Sequence, residues 1–279
     1  MERKISHKAT GYKTQDGAGV SLVRVLGNRT VEEFDPFLML DSFDSTNPDD
    51  YKAGFPMHPH RGIETISYVY SGYMTHKDGL GNEDTIGDGE VQWMTAGSGI
   101  LHEEKLPPAK RLLGVQLWLN LPAKNKMVPP AYHSIKTSEI EEIDADWGKL
   151  RLLAGEFEGK KGFTSNYLPL DYYDLHLNSG ASVAIPTQND RSVMVFTLLG
   201  DAYVAGELVK EKTAVKLTAG DFVEIKANDK NAQVLFMSSK KLGEPVFWGG
   251  PIVMSTREEL EKAFDDLRKG IFLKDKISY

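Results

Sequence analysis

Two histidines flank a proline in the stretch "GFPMHPHRGIETISYVYSG", which runs from Gly54 to Gly72. Residues i and i+2 of an extended segment point to the same side, so His58 and His60 would share one face. Pro56 and Pro59 exclude a regular helix at this position and keep the backbone extended. The stretch therefore presents two imidazoles side by side, an arrangement that can bind a metal ion.

A second group of polar side chains follows about forty residues later, and two strands of one small barrel can bring both groups to one point. The stretch "GEVQWMTAGSGILHEEKLPP" carries His102, followed by Glu103 and Glu104. Strand alternation places His102 and Glu104 on one face and Glu103 on the other. Glu64 would share the face of the first histidine pair if that strand continued unbroken through Gly62.

Three imidazoles and a carboxylate would leave coordination positions for water, substrate or dioxygen. This donor set suits iron, copper, nickel, cobalt or manganese better than calcium or magnesium. The chain has 7 histidines and no cysteine. Disulfides, thiolate zinc sites, iron–sulfur clusters and cysteine nucleophiles are therefore excluded. The alternative is that each histidine is an ordinary polar group near a strand end, but the combined H-P-H and H-E-E pattern favours a metal site.

The elements that must position these residues are strands. Short runs that alternate apolar and polar residues are separated by Gly, Pro, Asn and Asp, which predicts an all-β sandwich or barrel. The clearest runs are 19–27, 65–76, 89–97, 112–122, 171–180, 191–206, 213–227 and 232–240. One helix is predicted over 255–270, with a capping box formed by Thr256 and Glu259.

The two halves of the chain resemble each other weakly. In each half a strand, a glycine turn and a second strand lead through a loop to another glycine step, at Gly72 and Gly89 and again at Gly200 and Gly220. Two copies of one β-barrel unit would suit the length of 279 residues. The strand pattern is interrupted over 123–145, where we expect the boundary.

Composition limits the possible partners. The formal net charge is −7, from 33 basic and 40 acidic residues, so there is no global electrostatic reason to bind nucleic acid directly. The N-terminus lacks an apolar signal region, and no apolar run approaches the length of a membrane span. We expect a soluble, cytoplasmic protein with no membrane partner.

The two histidine motifs together resemble the pirin family of the cupin superfamily. The resemblance rests on "HPHRGIET", the "GNED" loop, "VQWMTAG" and the late H-x-E, in order and spacing, and on the closing segment "PVFWGGPIVMSTREELEKAFDDLRKG". It implies two jelly-roll cupin barrels: an N-terminal metal-binding domain over 1–135 and a C-terminal domain over 136–279 that lacks a metal site and ends in a helix.

The resemblance also implies a site and an activity. The ligands would be His58, His60, His102 and Glu104, and the metal iron(II), with copper, nickel, cobalt and manganese as alternatives. Pirin-like proteins of this kind are similar to quercetin 2,3-dioxygenases, which implies a small aromatic, flavonol-like substrate, dioxygen, and Glu104 as general base. Glu64 matches the carboxylate that many other cupins use as a ligand, whereas the resemblance to pirins implies that it supports the ligands instead. Glu103 stands where the family commonly has a serine, so a second carboxylate lies beside Glu104 as an alternative at the metal.

Two other functions are consistent with the same pattern. Some pirins are regulatory proteins that bind a transcription factor or a metabolic enzyme and respond to the redox state of the metal. A metal-dependent isomerase or a small-molecule-binding cupin is the third reading, because one barrel hosts many chemistries. His76 would either line the pocket or support the hairpin.

Overall fold

The computed structural model describes residues 1–274. Its architecture is mostly β-strand. The strands, numbered in chain order, are β1 (Ile5–Thr10), β2 (Tyr12–Asp16), β3 (Val20–Leu26), β4 (Phe37–Ser45), β5 (Phe55–His60), β6 (Ile63–Ser71), β7 (Met74–Asp78), β8 (Glu83–Ile86), β9 (Glu90–Thr95), β10 (Ile100–Lys105), β11 (Leu112–Asn120), β12 (Ala131–Ile135) and β13 (Glu141–Ala145).

The second half of the chain continues in the same way. Its strands are β14 (Gly148–Ala154), β15 (Glu156–Phe157), β16 (Lys160–Lys161), β17 (Leu170–Leu177), β18 (Ser182–Pro186), β19 (Arg191–Leu199), β20 (Ala202–Val204), β21 (Glu207–Val209), β22 (Thr213–Leu217), β23 (Phe222–Ala227), β24 (Ala232–Lys240), β25 (Phe247–Gly249) and β26 (Ile252–Met254). The helices are α1 (Val31–Phe34), α2 (Arg257–Arg268) and the 3-10 turns Pro48–Asp50, Ala123–Asn125 and Thr137–Glu139.

The chain divides into two compact units, each made of separate segments. The N-terminal unit contains Lys13–Arg24, Phe37–Lys136 and the described chain from Gly243 on. The C-terminal unit contains Met1–Tyr12, Val25–Pro36 and Thr137–Leu242. This differs from the predicted division into 1–135 and 136–279. Residues 1–12 belong to the C-terminal unit, and the described residues from Gly243 on belong to the N-terminal unit.

Backbone pairing accounts for the displaced termini. Strand β1 hydrogen-bonds to β22, so the first strand of the chain is the edge of a sheet in the C-terminal unit. Helix α2, which was predicted to end the C-terminal domain, packs its apolar side against β26 in the N-terminal unit. Local strand patterning carries no information about such distant pairings.

Each unit has the same sheet arrangement within residues 1–274. In the N-terminal unit a seven-stranded sheet has the order β12-β9-β6-β11-β4-β3-β2, and a four-stranded sheet has the order β5-β10-β7-β8. In the C-terminal unit the orders are β1-β22-β19-β24-β17-β14-β13 and β18-β23-β20-β21. Buried apolar side chains from both sheets of a unit form its core, as expected for a sandwich or barrel.

Helix α2 begins as the sequence predicts. The Thr256 hydroxyl accepts a hydrogen bond from the Glu259 amide at 3.1 Å, and the Glu259 carboxylate accepts one from the Thr256 amide at 3.1 Å. This reciprocal capping box satisfies two amides that have no partner within the helix. No helix among the described residues is both long enough and apolar enough to cross a membrane.

A buried arginine connects α2 to the segment that carries the first two histidines. The Arg61 guanidinium donates to Asp266 at 3.0 Å, to the Ser98 carbonyl at 2.7 Å and to the Phe272 carbonyl at 2.6 Å. Both charged side chains of the Arg61–Asp266 pair are 2% exposed. The C-terminal segment is thereby attached directly beside His60.

Candidate metal centre

Two neighbouring antiparallel strands carry the three histidines. Strand β5 holds His58 and His60, and β10 holds His102 directly opposite His58. Directly opposite residues of an antiparallel pair point to the same face, and so do residues two apart on one strand. The predicted convergence of the three imidazoles is therefore a consequence of strand register.

The three side chains form a compact cluster. Their ligand-type nitrogens all lie within 4.8 Å of one another, and no other group of three such residues is found in the described chain. Ring centroids are separated by 4.8 Å for His58 and His60, 4.4 Å for His58 and His102, and 5.1 Å for His60 and His102. His60 and His102 are buried, whereas His58 is partly exposed.

Backbone carbonyls fix the protons of the first two imidazoles. The His58 Nδ1 lies 2.8 Å from the Pro56 carbonyl oxygen, and the His60 Nδ1 lies 3.0 Å from that of Pro251, in the turn between β25 and β26. A carbonyl can only accept, so in each neutral ring Nδ1 carries the hydrogen and Nε2 is a bare lone pair. These two Nε2 atoms face each other at 3.0 Å. Lone pairs at that distance repel unless a cation lies between them.

The third imidazole adds an unsatisfied nitrogen. The His102 Nε2 is buried and has no hydrogen-bond partner among the described residues. Burial and the neighbouring His60 and His58 hold the pKa of His102 well below its usual value, and burial with His58 lowers the pKa of His60 to about 3. Metal binding requires neutral imidazole. Two imidazoles with a bare Nε2 and a third whose buried Nε2 has no partner among the described residues therefore fit a transition-metal ion of the kind that imidazole prefers.

Glu104, predicted as fourth ligand and base, lies outside this cluster. Strand β10 pairs with β7 in unbroken register, with His102 opposite Asp78 and Glu104 opposite His76, so the two residues share a face; only the pairing with β5 shifts register between them. The Glu104 carboxylate is buried and accepts hydrogen bonds from Gln92 and, at 2.9 and 3.1 Å, from Gln116. Its coordination of a metal stays a prediction.

The two glutamines were not identified from the sequence. Each interrupts an otherwise apolar strand, in "VQWMT" of β9 and "GVQLWLN" of β11. Gln92 and Gln116 both lie opposite Ser67 of β6, so the three side chains share a face. An isolated glutamine inside an apolar strand could have indicated a buried polar group at the site, because a buried side-chain amide needs a hydrogen-bond partner.

Glu64 does not share the face of the histidines, contrary to the expectation based on an unbroken strand. Strand β5 ends at His60, Gly62 has a φ of +79°, and β6 belongs to the other sheet of the unit. Glu64 is three residues from Ser67 and so points to the opposite face of β6. There its Oε1 accepts from the Thr95 hydroxyl at 2.7 Å, and burial raises the pKa of Glu64.

Glu103 and His76 also have definite positions. Glu103 is only partly buried and lies 3.4 Å from the Lys105 ammonium, which agrees with the predicted outward direction. His76 is fully buried, and its Nδ1 lies 3.3 Å from the His102 Nδ1. His76 therefore contacts the cluster directly, although it was predicted only as a pocket-lining or hairpin-supporting residue.

Two tryptophans extend the cluster into an aromatic wall that the sequence did not reveal. The Trp118 ring lies 4.9 Å from the His60 ring and 5.6 Å from the Trp248 ring. The Trp118 Nε1 is buried and has no hydrogen-bond partner among residues 1–274. Aromatic faces with one free donor could hold a flat, oxygen-bearing molecule beside the histidines.

Comparisons with known proteins agree with this architecture. The family model described as Pirin matches residues 19–119, and the model described as Pirin C-terminal cupin domain matches residues 172–273. A pirin-like protein from Caulobacter vibrioides is 43% identical over 266 residues, covering 94% of this chain and 96% of its own length. Human pirin is 34% identical over 272 residues, covering 95% and 92% of the two chains.

A solved structure is similar along its full length. The crystal structure of a quercetin 2,3-dioxygenase from Acinetobacter baumannii superposes with a TM-score of 0.90 and is 32% identical. The match covers 98% of this chain and 99% of the other.

Proposed function

The chain belongs to the pirin family and consists of two cupin domains, and from this premise we propose that it is a metal-dependent dioxygenase that cleaves flavonols such as quercetin. The observation that supports the metal centre most strongly is the convergence of the Nε2 atoms of His58, His60 and His102, none of which has a hydrogen-bond donor or acceptor outside the cluster among the described residues. The similarity to a structure named as a quercetin 2,3-dioxygenase supports the reaction.

These three histidines would hold the metal, with Glu104 as the proposed fourth ligand. When bound, an iron(II) ion would supply Lewis-acid activation of the flavonol 3-hydroxyl and a site for dioxygen. Imidazole donors suit iron and also copper and nickel, so the donor set alone supports a transition metal rather than one element.

Glu104 is the proposed general base. It would accept the proton of the flavonol 3-hydroxyl and return it to the product. Its carboxylate accepts hydrogen bonds from the side-chain amides of Gln92 and Gln116, which restrain its orientation. In the overall reaction both atoms of dioxygen enter the organic product, the heterocyclic ring opens and one carbon leaves as carbon monoxide.

Trp118 and Trp248 would bind the flat ring system of the substrate. Stacking on these rings would restrict its orientation and exclude water from the reacting atoms. The free Trp118 Nε1 would donate a hydrogen bond to one of the oxygens of the flavonol. This arrangement favours an aromatic, oxygen-rich substrate over an aliphatic one.

Oxygen uptake tests the proposal. Metal-free protein is loaded anaerobically with iron(II), mixed with quercetin and then exposed to oxygen, and consumption of both substrates is measured. We expect quercetin and dioxygen to be consumed in equal amounts by the wild type. His58→Ala should lose this activity, and His7→Ala, which changes an exposed histidine, should keep it. Iron binding without flavonol consumption would overturn the reaction and favour the regulatory function.

A further inference from the structure

His76 has a complete set of contacts that the proposed reaction does not explain. Its Nε2 lies 2.9 Å from the Asp78 Oδ2, its Nδ1 lies 3.3 Å from the His102 Nδ1, and its ring stacks on Tyr132 at 4.1 Å with an interplanar angle of 10°. His76, Asp78 and His102 are all buried. The three side chains form a continuous chain of hydrogen bonds that ends at the cluster of His58, His60 and His102.

The surroundings of Asp78 determine where the protons lie. Its Oδ1 accepts from the backbone amides of Leu80 at 2.9 Å and Asn82 at 3.1 Å, and its Oδ2 accepts from the Asn82 side-chain amide at 2.9 Å. A carboxylate that receives these donors acts as an acceptor, so the contact with His76 requires the hydrogen to be on the His76 Nε2.

The position of the hydrogen on His76 determines which nitrogen of His102 is protonated. A neutral His76 with a hydrogen on Nε2 has a bare Nδ1, and the bare Nδ1 must accept the hydrogen of the His102 Nδ1. His102 is then left with a lone pair on Nε2, the atom that is buried without a partner. The opposite tautomer would direct a bare His76 Nε2 at the Asp78 carboxylate and place a hydrogen on the nitrogen needed for metal binding.

We propose that Asp78 and His76 form a positioning relay, stacked on Tyr132, that holds His102 in the Nδ1–H tautomer and so keeps its Nε2 free for the metal. The relay rests on the proposed metal centre but is independent of the flavonol reaction. His58 and His60 receive the same support from backbone carbonyls, so each of the three imidazoles has its second nitrogen fixed.

The tautomer can be read in the metal-free protein. Two-bond ¹⁵N–¹H correlation spectra of protein labelled at histidine distinguish a protonated from a bare ring nitrogen, and the His102 signals are assigned by their absence in His102→Gln. We expect the hydrogen on Nδ1 in the wild type. A hydrogen on Nε2 of His102 would overturn the relay, and this result does not depend on whether any His76 variant folds.

Metal affinity gives the second readout. His76→Phe keeps a ring against Tyr132 but removes both nitrogens, so we expect the Kd for cobalt(II), measured by titration calorimetry, to rise about 10- to 100-fold. His76→Asn can place an acceptor oxygen close to the Nδ1 position and should recover much of this loss. A folded His76→Phe variant with wild-type affinity would overturn the relay.

The C-terminal unit supplies a matched control. The His176 Nε2 lies 2.8 Å from the Asp174 Oδ2, so this pair has the same two-residue spacing on a strand and the same contact. His176→Phe should leave the cobalt(II) affinity unchanged, whereas an equal loss would show a general effect of removing a histidine–aspartate pair and would contradict the relay. Failure of quercetin oxidation would overturn only the proposed reaction, because neither readout uses substrate.

Discussion

The Nε2 atoms of His58 and His60 face each other at 3.0 Å while the Nδ1 atom of each ring is bound to a backbone carbonyl. The H-P-H sequence places the two rings side by side, since residues two apart on a strand share a face. It does not determine which ring nitrogen carries the hydrogen. The carbonyl of Pro56 orients the first ring, and the turn at Pro251 orients the second. The pair is therefore prearranged to chelate a cation.

Binding of a divalent transition metal should stabilise the N-terminal unit. A ligand at 100 times its Kd stabilises the native state by about 2.7 kcal/mol if it does not bind the unfolded chain. For a protein of this size we expect the Tm to rise by roughly 5 °C on addition of cobalt(II), as followed by differential scanning calorimetry. His102→Ala should abolish the rise and His7→Ala should keep it. An equal rise in His102→Ala would contradict the site.

Glu104→Gln should reduce flavonol turnover about 10²- to 10⁴-fold, because it removes the proposed proton acceptor while nearly preserving the volume of the side chain. The adjacent Glu103→Gln is the matched control, since Glu103 points away and contacts Lys105. Steady-state oxygen consumption at fixed iron content distinguishes the two. A greater loss in Glu103→Gln would transfer the proposed role to Glu103.

Asp266→Asn should destabilise the protein strongly. The change leaves the buried Arg61 guanidinium without its counter-charge, a loss that costs about 3–5 kcal/mol in buried pairs. Asp265→Asn on the same helix is the control, because the Asp265 side chain is 40% exposed and solvent screens its ion pairs with Arg268 and Lys269, so a much smaller loss is expected. Urea unfolding at pH 7 gives the unfolding free energy of both variants. Equal losses in Asp266→Asn and Asp265→Asn would contradict a special contribution of the buried ion pair.

The same aspartate predicts a pH dependence. Burial raises the pKa of Asp266, but hydrogen bonds from Lys274, Arg61 and Lys262 outweigh it, and the net pKa lies below the usual value. The unfolded chain therefore takes up the proton first as the pH falls. The stability advantage of wild type over Asp266→Asn should be complete at pH 7 and should decline as the pH falls below about 4. Unfolding curves between pH 3 and pH 7 test this, and an advantage that grows on acidification would contradict it.

Gly62 makes the corner that separates β5 from β6. Its φ is +79°, and a Cβ at this position would lie 2.0 Å from the Val253 carbonyl oxygen. Gly62→Ala should therefore cost more than the roughly 1–2 kcal/mol of left-handed strain alone and should weaken metal binding. Gly159→Ala is the control, with a φ of +78° and open space around the Cβ. Equal unfolding free energies for the two variants would contradict a steric role for this corner.

Much of the fold was predictable because it follows from local patterns. The all-β class, the two cupin barrels and the helix with its Thr256–Glu259 capping box are confirmed. The assignment of the terminal segments was not predictable, because β1 pairs with β22 across more than two hundred residues and neither strand carries a sign of its partner in its own sequence.

The site shows the same distinction. Convergence of the three histidines follows from strand alternation, and their ligand-type nitrogens lie within 4.8 Å of one another. The condition for Glu64 to share the histidine face, an unbroken strand through Gly62, is not met, because the chain passes to another sheet there. The contacts of His60 with Trp118 and with the Pro251 carbonyl depend on tertiary packing, which spacing within one motif cannot show.

X-ray absorption spectroscopy of protein loaded with one equivalent of cobalt(II) tests the central claim most directly. The account predicts one ion per chain with three imidazole nitrogens in its inner shell, reduced to two or lost altogether in His58→Ala. Absence of imidazole scattering in the wild type, or an unchanged spectrum in His58→Ala, would contradict the three-histidine metal centre.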